Sequence, residues 1–456
     1  MLESFKNGWK AGCVAAADIP TQEDTLLLKP LKGKTKLRST STDSFSGGKM
    51  WVFSNGMSVI FKKTADKGAF HYGYMVRGGW TEIPDITGDE SAFASDVAGL
   101  QKVSGMSGEH LQGLLAMNGV TLNCDVSLSD VRYTGKAPSD RLSLVLKTIL
   151  SLGTDQSPDP DAFARYCSDE AVRQARDRFS AVGVRARLDS TMSPQYRYAT
   201  GQLPELPDAG FQQRMDEYLS AKGLSTSNAT IVLAGDLNEA ATLKILTQML
   251  GGFGNGKQRA ARPRLGYPLR ECWSTTSAPG GWRDRGVIMS MSAMWPFTAD
   301  GNSLLRLCSA TLEAELDRAL ADKGYRAYVT AEADLLPAEK AALYVYCYPV
   351  SPLGLPAGVR AVSPVVALDV VRSVVNRLAG GDINPEVLKL AKAAVGSSEQ
   401  ASGANTATLR DFILYRNALG RDIGSGLASR VSSLGASDVQ AMFAALDACK
   451  CEFAVQ

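Results

Sequence analysis

Asp159-Pro160-Asp161 and Asn384-Pro385-Glu386 write the same helix start twice, once in each half of a 456-residue chain. In each, a side-chain oxygen stands at the cap, proline takes the first helical position and an acid falls in the first turn. That combination satisfies and complements the unbonded amides of a helix N-terminus. Around each start the same order of elements returns: strand, helix, a pair of strands, further helices, and a helix that feeds a terminal strand. The length suits two or three domains. The pattern predicts an α+β fold of two similar domains, each a mostly antiparallel sheet covered by helices on one face.

Residues 1–47 carry Lys, Ser, Thr and Gly clusters without steady periodicity and read as an arm or linker with room for one short helix. The first domain is read as residues 48–252. Apolar residues alternate on both sides of Asn55-Gly56, a strong hairpin signal, and a third strand is expected over 70–77. Helices are expected over 90–104 and 108–117, strands over 120–126 and 130–136, and a helix over 139–152 that presents Leu142, Leu146 and Ile149 on one face. The helix that starts at Asp159-Pro160 should run to about residue 182. A helix over 211–222 then precedes a buried strand over 229–235, and Asn238-Glu239 starts a helix that stops at Gly251-Gly252.

Residues 253–282, rich in Gly, Arg, Pro and Lys, read as an inter-domain linker. The second domain, 283–456, should hold a strand over 287–294, a long helix over 302–322 and strands over 325–331 and 342–350. A helix over 363–378 and the Asn384-Pro385 helix follow. A last helix is opened by a capping box at Ser437-Asp438-Val439-Gln440, before a closing strand over 451–455.

Lys and Arg number 49 against 47 Asp and Glu, and no basic stripe offsets that near-balance, so nucleic acid is not an expected partner. The 45% apolar and 21% charged content is that of a soluble globular protein. The longest Val/Ala-rich stretch, 361–379, is broken by Asp369, Arg372 and Arg377 and reads as a buried helix with a wet edge, so no membrane span is expected. Met1-Leu2-Glu3-Ser4 does not look like a targeting segment. Such a segment can be missing from a piece of a longer protein, which leaves cytoplasm, periplasm and organelle equally open. The eight cysteines form no Cys-x-x-Cys pair and read as small buried hydrophobes.

Several segments share an order that points to one family. Asn228-Ala-Thr-Ile-Val-Leu-Ala-Gly235-Asp236 is a strand ending in Gly-Asp before a helix. Val76-Arg77-Gly78-Gly79-Trp80-Thr-Glu82 follows the opening hairpin, Gly119-Val-Thr-Leu-Asn123 follows the first helices, and Leu320-Ala-Asp-Lys-Gly324 leads to Tyr328. Together, over residues 48–456, they resemble the pitrilysin/insulinase family of metallopeptidases. Active members place His-x-x-Glu-His on the first long helix and a further Glu on a later one. Two imidazoles one turn apart grip zinc, and the intervening Glu takes a proton from the metal-bound water.

With Gly88 aligned to the family glycine, Glu90 stands at the first His, Phe93 at the catalytic Glu and Ala94 at the second His. Glu170 falls near the distal Glu and, with no site to complete, reads as a solvated or capping charge. His71 and His110 have no second ligand at helical spacing. There is no Gly-x-Ser-x-Gly elbow, and Cys124 and Cys308 lack a His partner, so both read as structural. No catalytic residue and no metal are therefore expected here, with zinc expected only in a catalytic partner half. In the second domain the resemblance implies an Arg and a Tyr that help bind substrate. Tyr328 fits the tyrosine, Ala321 stands where the arginine belongs, and Arg318 and Arg326 are the nearby replacements. The alternative for Tyr328 is a strand residue packed against the helix.

The resemblance implies two halves enclosing a chamber in which an extended peptide pairs with a sheet edge. The strand around Asn123 is the candidate edge, with an ordinary internal strand as the alternative. The expected function is that of a non-catalytic half or partner subunit of a zinc endopeptidase-like pair, supplying wall and grip. Its partners would be a catalytic half or subunit of the same family, or further copies of itself, and unfolded peptide. The alternative is a structural or assembly subunit without proteolytic role; a third reading, a hydrolase with its own site, has no ligand set in the sequence.

Overall fold

The Asn55-Gly56 turn folds as a tight hairpin corner because glycine takes a φ of 91° there. The buried Asn55 side chain donates to the Leu250 carbonyl at 2.9 Å and accepts from the Met57 amide at 3.3 Å. It joins strands β2 (Lys49–Phe53) and β3 (Ser58–Lys63), and β1 (Leu37–Thr42) lies beyond β2. This computed structural model describes residues 20–29, 33–177, 204–223, 226–254, 275–277, 286–335, 339–350, 360–403 and 405–455. The chain falls into two units, one drawn from residues 1–84, 94–165 and 208–260, the other from 85–93, 166–207 and 261–456.

In chain order after β3 come β4 (Ala69–Arg77), α1 (Gly88–Gly99), β5 (Lys102–Val103), α2 (Gly108–Met117), β6 (Asn123–Val126), β7 (Asp130–Pro138) and α3 (Leu142–Thr154). They continue as β8 (Gln156–Ser157), α4 (Pro160–Asp177), α5 (Ala209–Gly223), β9 (Ala229–Gly235) and α6 (Glu239–Met249). The first unit is built on a seven-stranded sheet ordered β1-β2-β3-β9-β4-β7-β6. Only β3 and β9 run parallel; the other neighbours are antiparallel. β9 is buried along its whole length, as a run apolar but for Thr230 must be between two strands. α3 buries Leu142, Val145, Leu146 and Ile149, and α5 buries Phe211, Met215, Tyr218 and Leu219, the face that i, i+3, i+4 spacing provides.

The second unit adds β10 (Thr275–Ser277), β11 (Gly286–Met294), α7 (Ala299–Leu320), β12 (Tyr325–Asp334), β13 (Lys340–Pro349), α8 (Pro364–Ala379) and α9 (Pro385–Gly403). It closes with α10 (Thr406–Leu419), α11 (Leu427–Ser433), α12 (Ala436–Asp447) and β14 (Lys450–Val455). Its sheet runs β10-β14-β11-β13-β12, and again one pair, β10 with β14, is parallel. Val287, Met289, Leu343, Val345 and Val329 on one face of this sheet join Leu312, Leu316, Val371, Val375 and Phe443 from the helices in one core.

Both proline starts are capped as their sequences require. Asp159 accepts from the Ala162 amide at 3.2 Å, and Asn384 accepts from Glu386 and Val387 at 2.9 and 3.4 Å. Other expectations need correction. The helix read over 90–104 ends at Gly99, because Lys102 and Val103 pair instead with Ser157 and Gln156. The last helix is capped two residues before the expected Ser437, at Gly435, where Asp438 accepts from the Gly435 amide at 2.7 Å. β1 lies inside the stretch read as an arm, and β10 inside the stretch read as a linker. Helices α10 and α11 were not anticipated, and the expected end of α4 at residue 182 lies outside the described residues.

Candidate functional site

Helix α1 carries the three positions that the sequence resemblance aligns with the zinc motif, and each has a structural occupation. The Glu90 carboxylate accepts from the Thr87 amide at 2.9 Å while the Glu90 amide donates to Thr87 Oγ1 at 3.1 Å. That reciprocal pair is a capping box, and it holds the carboxylate at the helix mouth. Phe93 is buried at 2% exposure, its ring edge-on to Tyr166 of α4 with centroids 6.5 Å apart. Ala94 is fully buried.

One turn beyond Tyr166, Glu170 is only 5% exposed, which corrects its reading as a solvated or capping charge. Arg173 donates to it from Nε and Nη2, both at 2.6 Å, and Gln174 Nε2 donates at 3.2 Å. Such a fork-to-fork pair uses the lone pairs a metal would need. These residues do not fit a zinc ion: Phe93 and Ala94 offer no donor atom, and both carboxylates are engaged within their own helix or its first turn. Among the described residues, no three His, Cys, Asp or Glu side chains lie together as a possible metal site. His110 Nε2 lies 3.2 Å from Asp24, and His71 lies 3.9 Å from Asp66. Burial pushes the Cys124 thiol up to about 12, the reverse of what a nucleophile needs.

The strand around Asn123 is an edge: β6 is the last strand of the first sheet, and Asn123 is exposed on it. Its register pairs Asn123 with Thr134 and Asp125 with Arg132, so those residues bond inward to β7 and the intervening ones present N–H and C=O outward. Two of the outward groups are taken. Val126 N–H donates to Ser95 Oγ of α1 at 2.9 Å, and the Leu122 carbonyl accepts from Gln112 Nε2 of α2 at 3.2 Å. The N–H and C=O of Cys124 face outward between them. Neither Ser95 nor Gln112 was singled out from the sequence, because a helix residue that reaches a strand edge has no local signature.

In the second unit Tyr328 and Arg326 lie two residues apart on β12, hence on one face, and both are exposed, Tyr328 at 58%. Tyr328 sits opposite Tyr346, with ring centroids 6.5 Å apart, and Arg326 sits opposite Tyr348, which stacks on Tyr346. The face holding Val329 and Tyr325 packs against α7, so Tyr328 points away from the helix core. Arg318, the other replacement considered, is on α7 itself. Asn123 belongs to the first unit and the Arg326–Tyr328 pair to the second.

No protein-family model matches this sequence, and no curated protein is a match. Solved structures do match, and they define the class: the chain has the fold of half an M16 peptidase, the pitrilysin type. The ferredoxin protease FusC, solved in complex with Arabidopsis ferredoxin, aligns with a TM-score of 0.72 at 16% identity, over 100% of this chain and 50% of that one. The periplasmic protease PqqL from Escherichia coli aligns with a TM-score of 0.71 at 14% identity, over 94% of this chain and 47% of that one. A peptidase M16 inactive domain from Pseudomonas fluorescens aligns with a TM-score of 0.69 at 14% identity, over 89% of this chain and 97% of that one. The chain thus spans about half the length of the two larger proteases and nearly all of the inactive domain. Among the described residues, no helix is long and apolar enough to cross a membrane.

Proposed function

We propose that this chain is a non-catalytic half of a peptidase-like pair, supplying wall and grip for an extended peptide while a partner of the same fold carries the zinc. The observation that carries the reading is α1, where capping, core packing and a small buried side chain occupy the positions of ligand, base and ligand. Among the described residues zinc has no donor set; in the partner it would supply the hydrolytic water. Peptide grip rests on the β6 edge, where Cys124 offers one outward N–H and C=O for strand addition beside exposed Asn123, and on Arg326 and Tyr328 of β12 as an exposed cation and aromatic.

The test is co-purification with an M16 peptidase from the same source that bears His-x-x-Glu-His. The reading expects a stable complex and peptide cleavage that rises when this chain is added. Unchanged mass and unchanged activity refute it.

One observation favours a second reading, a structural or assembly subunit without peptide binding. Ser95 and Gln112 already occupy the outward groups on either side of Cys124, which shortens the usable edge to a single residue. Recovery of the native chain in a large complex devoid of peptidase, with no binding of extended peptides, would decide for it.

A further inference from the structure

β1 is the edge of the first sheet opposite to β6, and all six of its residues are exposed. Successive side chains of a strand point to opposite faces, so this edge is open on both. Its register decides which backbone groups face outward. The Asp43 amide donates to the Gly48 carbonyl at 2.8 Å, Ser41 pairs with Met50 and Ser39 with Val52. Residues 39, 41 and 43 therefore bond inward to β2, and the N–H and C=O groups of Thr40 and Thr42 point away from the sheet. Among the described residues, nothing bonds to those groups. β6, by contrast, offers a single residue between its ties to Ser95 and Gln112.

The side chains beside these groups carry charge of one sign. Lys34, Lys36 and Arg38 are exposed and form no ion pair among the described residues. Asp43, just past the other end of the strand, is buried and accepts from the N–H and Oγ of Ser46, both at 2.7 Å. Lys49 of β2 is already matched by Glu239 of α6. We propose that β1 is a docking edge for an acidic extended segment of another protein, independent of any peptide held at β6. Laid antiparallel, the segment exchanges backbone bonds with Thr40 and Thr42. Its C-terminal end then runs past Arg38 and Lys36, where glutamate or aspartate is favoured. The bulge between Leu37 and Ser39 ends the regular ladder, so recognition beyond it is by charge. A basic segment is repelled, and a second β1 has no exposed carboxylate to offer in return.

The experiment is fluorescence anisotropy of the full chain with a short peptide of alternating threonine and valine that ends in glutamates, against the same peptide ending in lysines. The glutamate peptide is expected to bind roughly tenfold more tightly, with the advantage shrinking as salt is raised. Lys36→Glu/Arg38→Glu should reverse the preference. Thr40→Pro removes an outward N–H and leaves the β1–β2 bonds in place. It should weaken binding of the glutamate peptide severalfold while the urea midpoint stays where it was. Amide exchange in the wild type gives a check that needs no variant. The glutamate peptide should slow exchange at Thr40 and Thr42 and leave Cys124 and Val126 unchanged. Equal affinity for the two peptides, a preference indifferent to the charge reversal, binding that survives Thr40→Pro, or protection that arises at β6 instead would each overturn the proposal.

Discussion

The strand orders β3-β9-β4-β7-β6 and β10-β14-β11-β13-β12 are the same five-strand plan, down to the single parallel pair at the same place. In both units the chain's last strand inserts beside the first strand of the plan's antiparallel part, and the edge strand is the one that follows the first helices. What differs is how those edges and helices are finished. β6 has four residues and is tied by neutral groups from Ser95 and Gln112, whereas β12 has ten and is tied by carboxylates from Glu313 and Asp317. The helix after the first antiparallel strand is twelve residues in α1 and twenty-two in α7. Burying apolar faces fixes the order of strands, while the edges, which contribute little to the core, are where two copies of one plan are free to diverge.

The largest test of that contrast is at α1. If its motif positions are now core, Phe93→Ala should destabilise the protein by about 3–5 kcal/mol, as emptying a buried aromatic site does, measured as the shift in a urea unfolding midpoint. A loss below about 1 kcal/mol would place Phe93 in an open cleft instead. Next comes the β6 edge itself. A Cβ on Gly135 of β7 would lie 1.8 Å from the Thr121 carbonyl oxygen, so Gly135→Ala must push the edge segment off the sheet. A cost of about 3 kcal/mol is expected, with amide exchange faster over 121–126 and unchanged in β12. Equal acceleration at both edges would mean that the two units do not respond separately.

Alkaline pH should separate the units in another way. Burial raises the Cys124 and Cys347 thiols from the ordinary 9.0 to about 12, so the folded chain keeps protons that the unfolded chain gives up. Stability is therefore whole below pH 9 and falls as pH climbs toward 12, by about 1 kcal/mol per thiol at pH 10. The first unit also buries Tyr74, Tyr133 and Tyr218, all pushed above the ordinary phenol value by burial. Above pH 10 its stability should drop more steeply than that of the second. The chain has six tryptophans, so variants that keep only buried Trp51 or only Trp295 read the two units separately by fluorescence during urea unfolding, and parallel curves would contradict the assignment.

The elements most legible in the sequence are those whose cause is local. The Asn55-Gly56 hairpin, the Asp159 and Asn384 caps and the buried strand over 229–235 follow from turn chemistry, capping and period. The α+β plan and its repetition followed from their order. The edge position of β6 matched the strand chosen around Asn123. Illegible were features decided by partners distant in sequence. β1 is exposed throughout and becomes a strand only because β2 lies beside it. Glu170 looked free because its burial depends on packing that no spacing reveals, although its fork partner Arg173 stands one turn away. Glu313 and Asp317 read in sequence as two ordinary helix-surface acids, and only the path of β12 beside α7 brings them onto the Val329 and Ala327 amides.

Ser95→Ala is the smallest change and the sharpest one. The hydroxyl accepts from Val126 N–H at 2.9 Å and lies 3.3 Å from Asp125 Oδ1, so it holds the end of β6 against α1. Removing it should cost roughly 0.5–1 kcal/mol, the net worth of one part-buried hydrogen bond, read from a urea midpoint. The same deletion frees the Val126 amide, and the edge then offers two outward N–H groups, those of Cys124 and Val126, where it had one. An edge that receives peptides should bind an extended peptide more tightly in the variant, since a ladder bond is gained where a side chain stood, even though the folded chain has become less stable. An edge that serves only to close the sheet should show the stability loss and no change in peptide affinity by calorimetry. Opposite signs for stability and affinity are thus the signature of strand addition at β6, and no loss of packing alone can produce them.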